Sequence, residues 1–324
     1  MDIYVKKAII HQFSPDDTDL YLADKFLNIT PKIEEYLRKK IERVYSDEAR
    51  TGIFEEDNPF LEMISDDLLE TSVVVANRWK EEFVVSENQK TNDLVFVEFS
   101  KEGVDHFAFL RIALRETLTH LGGEVDNPIK LTQNNLPGFG TGADEALVIN
   151  LQSRKYHLIE KRIKYNGTFL NYFSENLLQA QPKISPKKSI KALEKTAQKI
   201  AESFNTDDFQ FQSKVKSAIF NHIEEENKLS PEKLADDLFD DNLTARLSFI
   251  DQVKEAVPEP VTFEEIDASH QLKKFENQKL SLSNGIELIV PNNVYEDAES
   301  VEFILNDNGT YSILIKNIED IQSK

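Results

Sequence analysis

The chain has 324 residues, of which 40% are hydrophobic and 30% charged, and its formal net charge at pH 7 is −20. This composition is that of a globular protein rather than a disordered chain, and the length suits a full core divided over two or three domains. The absence of cysteine excludes disulfides and thiolate zinc sites. Because no apolar run of about twenty residues occurs, we predict neither a signal peptide nor a membrane span, and we expect a cytoplasmic protein.

Residues 1–168 are predicted to form an antiparallel α+β domain. A strand over Ile3–Phe13 opens it, and a first helix begins where Thr30 caps a helix that has Pro31 at its first position. A second helix is expected to begin near Ser65. The strands predicted after these helices are Leu94–Phe99, His106–Leu114, Glu116–Leu121 (closed by Gly122-Gly123), Ala146–Leu151 and Tyr156–Tyr165.

Residues 169–262 are predicted to be helical, because their apolar residues recur with a helical period and glycine is almost absent. At two points a serine precedes a proline, Ser185-Pro186 and Ser230-Pro231. Each pair places a capping residue before a proline that suits the first helical position. The predicted helices are Tyr172–Leu178, Pro186–Phe204, Phe209–Glu226, Pro231–Phe239 and Thr244–Ala256.

Residues 263–324 are predicted to form a small β-rich module. Two tight turns, Asn284-Gly285 and Asp307-Asn308-Gly309, separate pairs of short strands. A module of this size has a marginal core of its own, so we expect it to pack on the helical region. The predicted fold class is therefore α+β: an N-terminal antiparallel sheet with helices, a central helical region and a small C-terminal β module. The short strands are Lys279–Ser283, Ile286–Val290, Val301–Leu305 and Tyr311–Ile315.

No recognisable catalytic or cofactor-binding motif occurs in the sequence. The six histidines show no metal-ligand spacing. The glycine-rich stretch Asn134–Gly142 lacks the Gly-Lys-Ser/Thr of a phosphate loop, so we interpret it as a flexible connection. Lys39, Lys40 and Arg43 lie off the apolar stripe of the first helix and are expected to face solvent. We predict no catalytic residue, no metal ligand and no cofactor.

The basic residues are concentrated in one segment of the chain. Residues 153–200 contain eleven Lys or Arg and three acids, a local net charge of +8, whereas residues 1–152 carry −13 and residues 201–324 carry −15. The overall negative charge opposes non-specific attraction to nucleic acid. Any contact with nucleic acid is therefore expected at this segment and not over the surface at large.

A helical projection from Pro186 separates this segment into two faces. Five lysines fall within about 120°, and the apolar residues fall within about 80° on the opposite side, so that the apolar face can dock while the lysines face solvent. Phosphate contact is one interpretation; the other is an ordinary solvated face that pairs with the acidic parts of the chain. The lysine ridge consists of Lys187, Lys188, Lys191, Lys195 and Lys199, and a second cationic edge consists of Arg154, Lys155, Lys161, Arg162 and Lys164.

Several segments, in their order along the chain, match the pattern of a known family. They are Ala8–Phe13, Arg50–Phe54, Ala146–Leu151, Tyr172-Phe173 with the helix that follows, Leu272–Phe275, and Gly285–Leu288 with the final hairpin. Together they resemble the bacterial family of nucleoid-associated, YejK-like proteins of about 37 kDa, a size that matches the 37.2 kDa of this chain. The resemblance implies a cytoplasmic, nucleoid-associated protein that binds nucleic acid, chiefly double-stranded DNA. It supplies no catalytic motif.

We therefore expect a non-enzymatic, nucleoid-associated DNA-binding protein that contacts the phosphate backbone through the lysine ridge and the cationic edge. Double-stranded DNA is the expected ligand, with RNA as the alternative, and a homodimer is expected from the symmetry that most oligomers adopt. Two other functions stay open. One is an acidic interaction or DNA-mimic protein that binds a basic protein partner. The other is a metal-dependent nuclease built from scattered carboxylates and histidines.

Overall fold

The computed structural model of the chain describes residues 2–16, 19–83, 90–120, 129–204, 208–263 and 265–322. Their contacts divide the chain into two units, Met1–Ser185 (unit 1) and Pro186–Lys324 (unit 2). The predicted α+β class is confirmed, with an antiparallel sheet in unit 1 and helices followed by strand pairs in unit 2. The predicted Gly122-Gly123 turn lies outside the described residues, and the division of the chain into three domains stays a prediction.

An antiparallel sheet of seven strands forms the centre of unit 1. The strands of the unit are β1 (Ile3–Ser14), β2 (Asp19–Tyr21), β3 (Arg50–Ile53), β4 (Asn92–Lys101), β5 (Val104–Ala113), β6 (Arg115–His120), β7 (Ile129–Asn135), β8 (Glu145–Asn150), β9 (Lys155–Ile159), β10 (Ile163–Tyr165) and β11 (Thr168–Leu170). Its helices are α1 (Pro31–Glu42) and α2 (Leu68–Phe83), with 3₁₀ turns at Arg43–Tyr45 and Leu61–Met63 and a π-helical turn at Phe173–Leu177. The sheet has the order β2-β1-β4-β5-β8-β9-β3, while β6–β7 and β10–β11 are separate pairs.

Helices cover both faces of this sheet. Because successive side chains of a strand point to opposite faces, β4 contributes to two cores. Phe96 packs in the same core as Trp79 of α2, whereas Val95 and Val97 pack in the core that contains Ile41 of α1. Burial on both faces explains why the central strands are nearly continuous apolar runs rather than alternating ones.

The prediction of a single strand over Tyr156–Tyr165 is wrong, because β9 ends before Glu160 and β10 begins after it. The Glu160 carboxylate accepts hydrogen bonds from the backbone N–H and the hydroxyl of Ser174, both at 3.0 Å, and forms an ion pair with Arg50. These contacts hold the π-helical turn on the sheet.

The expectation that Lys40 faces solvent is also wrong. Its side chain is buried, and Nζ donates to three backbone carbonyl oxygens within Asn134–Gly142, including that of Gly138 at 2.9 Å. Nζ also lies 4.4 Å from the ring centroid of Tyr36. Burial lowers the pKa of Lys40 to about 8. The glycine-rich stretch is therefore tied to α1 by an ammonium group, while the neighbouring Lys39 is exposed as expected.

Of the helices in the described part of the chain, none is both long and apolar enough to span a membrane.

Unit 2 begins with four helices around one core, in which Leu193, Ile219, Leu234 and Phe249 are fully buried. The elements of unit 2 are α3 (Pro186–Ser203), α4 (Phe209–Glu226), β12 (Lys228–Leu229), α5 (Pro231–Leu238), α6 (Leu243–Lys254), β13 (Val261–Thr262), α7 (Ser269–Phe275), β14 (Asn277–Ser281), β15 (Glu287–Pro291), α8 (Asn292–Tyr295), β16 (Val301–Leu305) and β17 (Tyr311–Ile315).

The two C-terminal strand pairs, β14–β15 and β16–β17, are attached to α4. Gln278 is buried, and its amide group donates to Asn292 Oδ1 at 2.7 Å and to the backbone carbonyl of Ser213 at 3.2 Å. The ring of Phe209 lies 5.2 Å from that of Phe303. Each hairpin thus uses a helix of unit 2 to complete its burial, as expected of strand pairs that are marginal alone.

Candidate nucleic-acid interface

The helix that carries the lysine ridge has the two faces that the projection predicts. α3 begins at Pro186, and its apolar side chains Ile190, Leu193, Ala197 and Ile200 are buried against the other elements of unit 2. All five lysines of the ridge are exposed. Burial of one face fixes the rotation of the helix, so that the ridge must face outward.

Three lysines of the ridge have no carboxylate partner among the residues that the structure describes. Lys188, Lys191 and Lys195 are exposed and form no ion pair there. Lys199 donates to Gln252 Oε1 at 3.2 Å, a neutral partner that leaves its charge uncompensated. From Lys188 to Lys199 the ridge extends about 16 Å along the helix axis.

The two acids of α3 make contacts away from the ridge lysines. Glu194 forms an ion pair with Lys274, with Nζ and Oε2 at 3.1 Å, and Glu202 accepts a hydrogen bond from Gln198 at 3.2 Å. The first turn of the helix contains no acid. The positive end of the helix dipole and the lysines beside it therefore add to one another, which favours an anion.

The cationic edge lies in unit 1, around the turn and strands that follow β8. Arg154 occupies the left-handed region at φ 59° and its Nη1 lies 3.0 Å from Glu56 Oε1. Lys161 Nζ lies 2.7 Å from Asp144 Oδ1. Burial opposes ionisation of Asp144, but the hydrogen bonds from Lys161 and from the backbone of Ala113 lower its pKa overall. At least two cations of this edge are thus engaged with acids of unit 1.

The other members of the edge are exposed. Arg162 Nε donates to Asn171 Oδ1 at 3.4 Å, and the exposed Lys155 and Lys164 lie at the start of β9 and in the middle of β10. The structure therefore places the ten predicted residues in two groups, the edge in unit 1 and the ridge in unit 2. Their contact with nucleic acid stays a prediction.

Sequence inspection missed a buried ionic network in unit 1. Arg111 on β5 faces Glu145 on β8, with Nε and Oε2 2.6 Å apart, and Arg111 also donates to Asn92 Oδ1 at 2.8 Å. Tyr172 donates to Glu145, and Trp79 Nε1 donates to the Tyr172 hydroxyl at 3.0 Å. Burial raises the pKa of Tyr172 well above its usual value. The signal in the sequence was a lone arginine inside an apolar strand, and its role is to hold the sheet and α2 together.

Metal-ligating side chains do not cluster in the part of the chain that the structure describes, where no group of three His, Cys, Asp or Glu is placed to hold an ion. The feature that distinguishes the surface of unit 2 is instead the exposed lysine ridge of α3, in which Lys188, Lys191 and Lys195 form no ion pair among the described residues. The family model described as nucleoid-associated protein YejK matches residues 9–321. The chain belongs to this nucleoid-associated family, so the resemblance found in the sequence is confirmed. No curated protein matches the chain at a significant level.

Proposed function

We propose that this protein binds double-stranded DNA in the bacterial nucleoid through the phosphate backbone, without catalysing a reaction on it, and that the lysine ridge is its principal contact. Membership of a nucleoid-associated family supports the class of ligand. The observation that carries the assignment of the site is that Lys188, Lys191 and Lys195 are exposed and lack carboxylate partners among the described residues.

The dimensions of the ridge suit a phosphate backbone. Successive phosphates of one strand advance about 3.4 Å along the duplex axis, so a ridge about 16 Å long extends over about five base-pair steps. Lysine is a flexible point charge that approaches phosphates without a fixed geometry. Contacts of this kind position a protein on DNA but carry no sequence information, so we expect binding with little sequence preference.

Because the net charge of the chain is −20, the attraction between the protein and DNA is confined to the ridge. At physiological salt the Debye length is about 8 Å, so the acidic surfaces farther away are screened while direct contacts at the ridge are retained. At low salt the same acidic surfaces repel DNA over longer distances. DNA binding by this protein therefore depends on direct ion pairs rather than on the charge of the whole molecule.

The cationic edge is proposed to add a weaker set of contacts. Lys161 and Arg154 must give up Asp144 and Glu56 before they bind a phosphate, so each contributes less than an unpaired lysine. Lys155, Arg162 and Lys164 are the exposed members of the edge that do not pair with Asp144 or Glu56, and they are proposed to contribute to the same weaker set.

Fluorescence anisotropy with a labelled 30-base-pair duplex, about three helical turns, tests the proposal. The ridge variant K188E/K191E/K195E/K199E is expected to lose binding. The matched control K228E/K233E/K254E/K273E makes the same change in net charge on exposed lysines of unit 2 outside the ridge, and it is expected to keep most of the affinity. An equal loss of DNA affinity in both variants would show that only net charge matters. Retained affinity in the ridge variant would contradict the assignment of DNA contact to the ridge.

The alternatives give different results in the same assay. A DNA-mimic protein would leave the labelled duplex unbound at any salt concentration but would retain a basic protein on a column. An RNA-binding protein would prefer a labelled RNA of the same sequence. Incubation of supercoiled plasmid with magnesium or manganese distinguishes a nuclease, because the plasmid stays intact if the protein only binds DNA.

A further inference from the structure

A groove of about 860 Å³ lies in unit 2 between the two C-terminal hairpins. β14–β15 and their turn form one wall, β16–β17 form the other, and the start of α4 closes the groove. Its volume lies in the range of cavities that bind ligands or short peptide segments. We call it the hairpin groove, and its apolar lining includes Leu282, Ile286, Leu288, Phe303, Tyr311 and Ile315.

Large apolar side chains of this groove are open to solvent. Ile286 and Tyr311 are each 51% exposed, and Ile315 is 48% exposed. Exposed apolar side chains that line a groove and are rimmed by polar residues offer a surface that another molecule can cover. These exposed side chains lie on the two facing walls of one groove, so a single narrow segment can cover both walls.

The charges of the groove indicate what that segment carries. Lys216 and Lys279 line the groove, and its lining contains no acid. Lys216 is half-buried, and neither lysine forms an ion pair with a carboxylate among the described residues. A partly desolvated ammonium group favours an anionic partner. The matching occupant is therefore an apolar segment that also contains acids.

Residues 318–322 of the chain have this composition. Ile318 is 52% exposed and Ile321 is 82% exposed, and the two acids between them, Glu319 and Asp320, are also exposed. Just before this segment, the backbone N–H of Lys316 donates to the carbonyl of Ser300 at 2.9 Å. The segment is therefore anchored at its start, and both of its isoleucines lie outside the groove of their own chain.

We propose that the hairpin groove of one chain binds the Ile318–Ile321 segment of a second copy, in a reciprocal exchange between two chains. The two isoleucines cover the apolar walls, and the acids between them pair with Lys216 and Lys279. A reciprocal exchange uses the same surface twice and closes on itself, which yields a two-fold dimer rather than a filament. The exchange does not depend on DNA binding, and its tests use no DNA, so the two proposals fail separately.

The first test is site-directed cross-linking, which the absence of native cysteine makes specific. One variant carries Ile321→Cys and the other carries Ser283→Cys, a residue of the groove lining. A short bismaleimide is expected to join the mixed variants into a species of two chains, whereas Ile321→Cys mixed with Gln198→Cys, an exposed residue of α3, is expected to stay uncross-linked. Cross-linking equal to that of the control, or no cross-link between the two variants, would overturn the exchange.

A charge exchange provides the second test, with sedimentation velocity as the measurement. K216E/K279E alone and E319K/D320K alone are each expected to raise the dimer Kd at least about 10-fold, because like charges then meet in both grooves. The mixture restores opposite charges at both grooves of a heterodimer, so we expect it to dimerise as the unmodified chain does. The control K228E/K273E is expected to dimerise normally. A monomeric unmodified chain, or a mixture no tighter than either variant, would contradict the proposal.

Discussion

The lysine ridge of α3 and the cationic edge of unit 1 contribute five basic residues each, and both belong to the same positive stretch of sequence. Their surroundings differ. In the edge, Arg154 and Lys161 lie within 3.0 Å and 2.7 Å of carboxylates, whereas Lys188, Lys191 and Lys195 of the ridge have no such partner among the described residues. The charge that a segment presents at the surface therefore depends on the acids that fold beside it, and not on its composition alone.

The largest expected effect is the difference between reversing the ridge and reversing the edge. We expect K188E/K191E/K195E/K199E to lower DNA affinity by at least about 100-fold, since each lost phosphate contact and each new repulsion adds to the loss. Reversal of the edge, R154E/K155E/K161E/R162E/K164E, is expected to cost less than about 10-fold despite one more charge reversal. Anisotropy titrations with the same duplex measure both losses. A larger loss of DNA affinity in the edge variant than in the ridge variant would make the edge, and not the ridge, the principal contact.

Lys40 provides a lysine in a third environment, buried and bonded only to backbone carbonyls. Lys40→Met keeps the apolar stem but removes the donor, and it leaves carbonyls of Asn134–Gly142 without their partner. We expect a loss of about 2 kcal/mol in the free energy of unfolding. The control is Lys39→Met on the exposed face of the same helix, for which a change within about 0.5 kcal/mol is expected. Urea unfolding measures both, and equal effects would show that Lys40 does not hold the loop.

Removing the acids that pair with the edge tests whether these ion pairs account for the difference between the edge and the ridge. Asp144→Asn with Glu56→Gln releases Lys161 and Arg154, so these two residues come to resemble the unpaired lysines of the ridge. We expect DNA to bind about 3-fold to 10-fold more tightly, in keeping with the modest free energy of exposed ion pairs. Glu55→Gln with Asp57→Asn is the control, because it removes the same net charge from the two acids on either side of Glu56; an equal gain there would assign the effect to net charge.

The pH dependence of unfolding distinguishes Lys40 from exposed lysines. Its folded pKa of about 8 lies below the ordinary value of 10.5. Between these values the unfolded chain binds more protons than the folded one, so the contribution of Lys40 to stability rises with pH across this window. The difference in unfolding free energy between the unmodified chain and Lys40→Met should therefore grow from pH 8 to pH 10. A constant difference would mean that Lys40 titrates as an exposed lysine does.

The sequence was sufficient for those features that depend on local pattern. Caps and prolines located the starts of α1, α3 and α5, continuous apolar runs located the central strands, and helical spacing predicted the two faces of α3. Several short strands were not predicted, among them β3 and β11. Nor was β7, Ile129–Asn135, which is mainly polar and whose pairing with β6 covers no core.

What could not be predicted depends on partners that are distant in the sequence. Lys40 and the carbonyl of Thr141 are 101 residues apart, and Arg111 and Glu145 are 34 residues apart. Nothing in the local pattern indicates that one lysine of α1 will be buried and its neighbour exposed. The same limit applies to the candidate site: the sequence located ten basic residues, but only the fold shows which of them acids already engage.

The salt dependence of DNA affinity tests the central claim most directly. If the unmodified chain forms about four lysine–phosphate contacts through the ridge, log affinity should fall with log salt with a slope between about −3 and −4. The ridge variant K188E/K191E/K195E/K199E, measured at the low-salt end where residual binding is detectable, should give a much shallower slope, because only the contacts of the cationic edge remain. Equal slopes in the two proteins would contradict the assignment of DNA contact to the ridge.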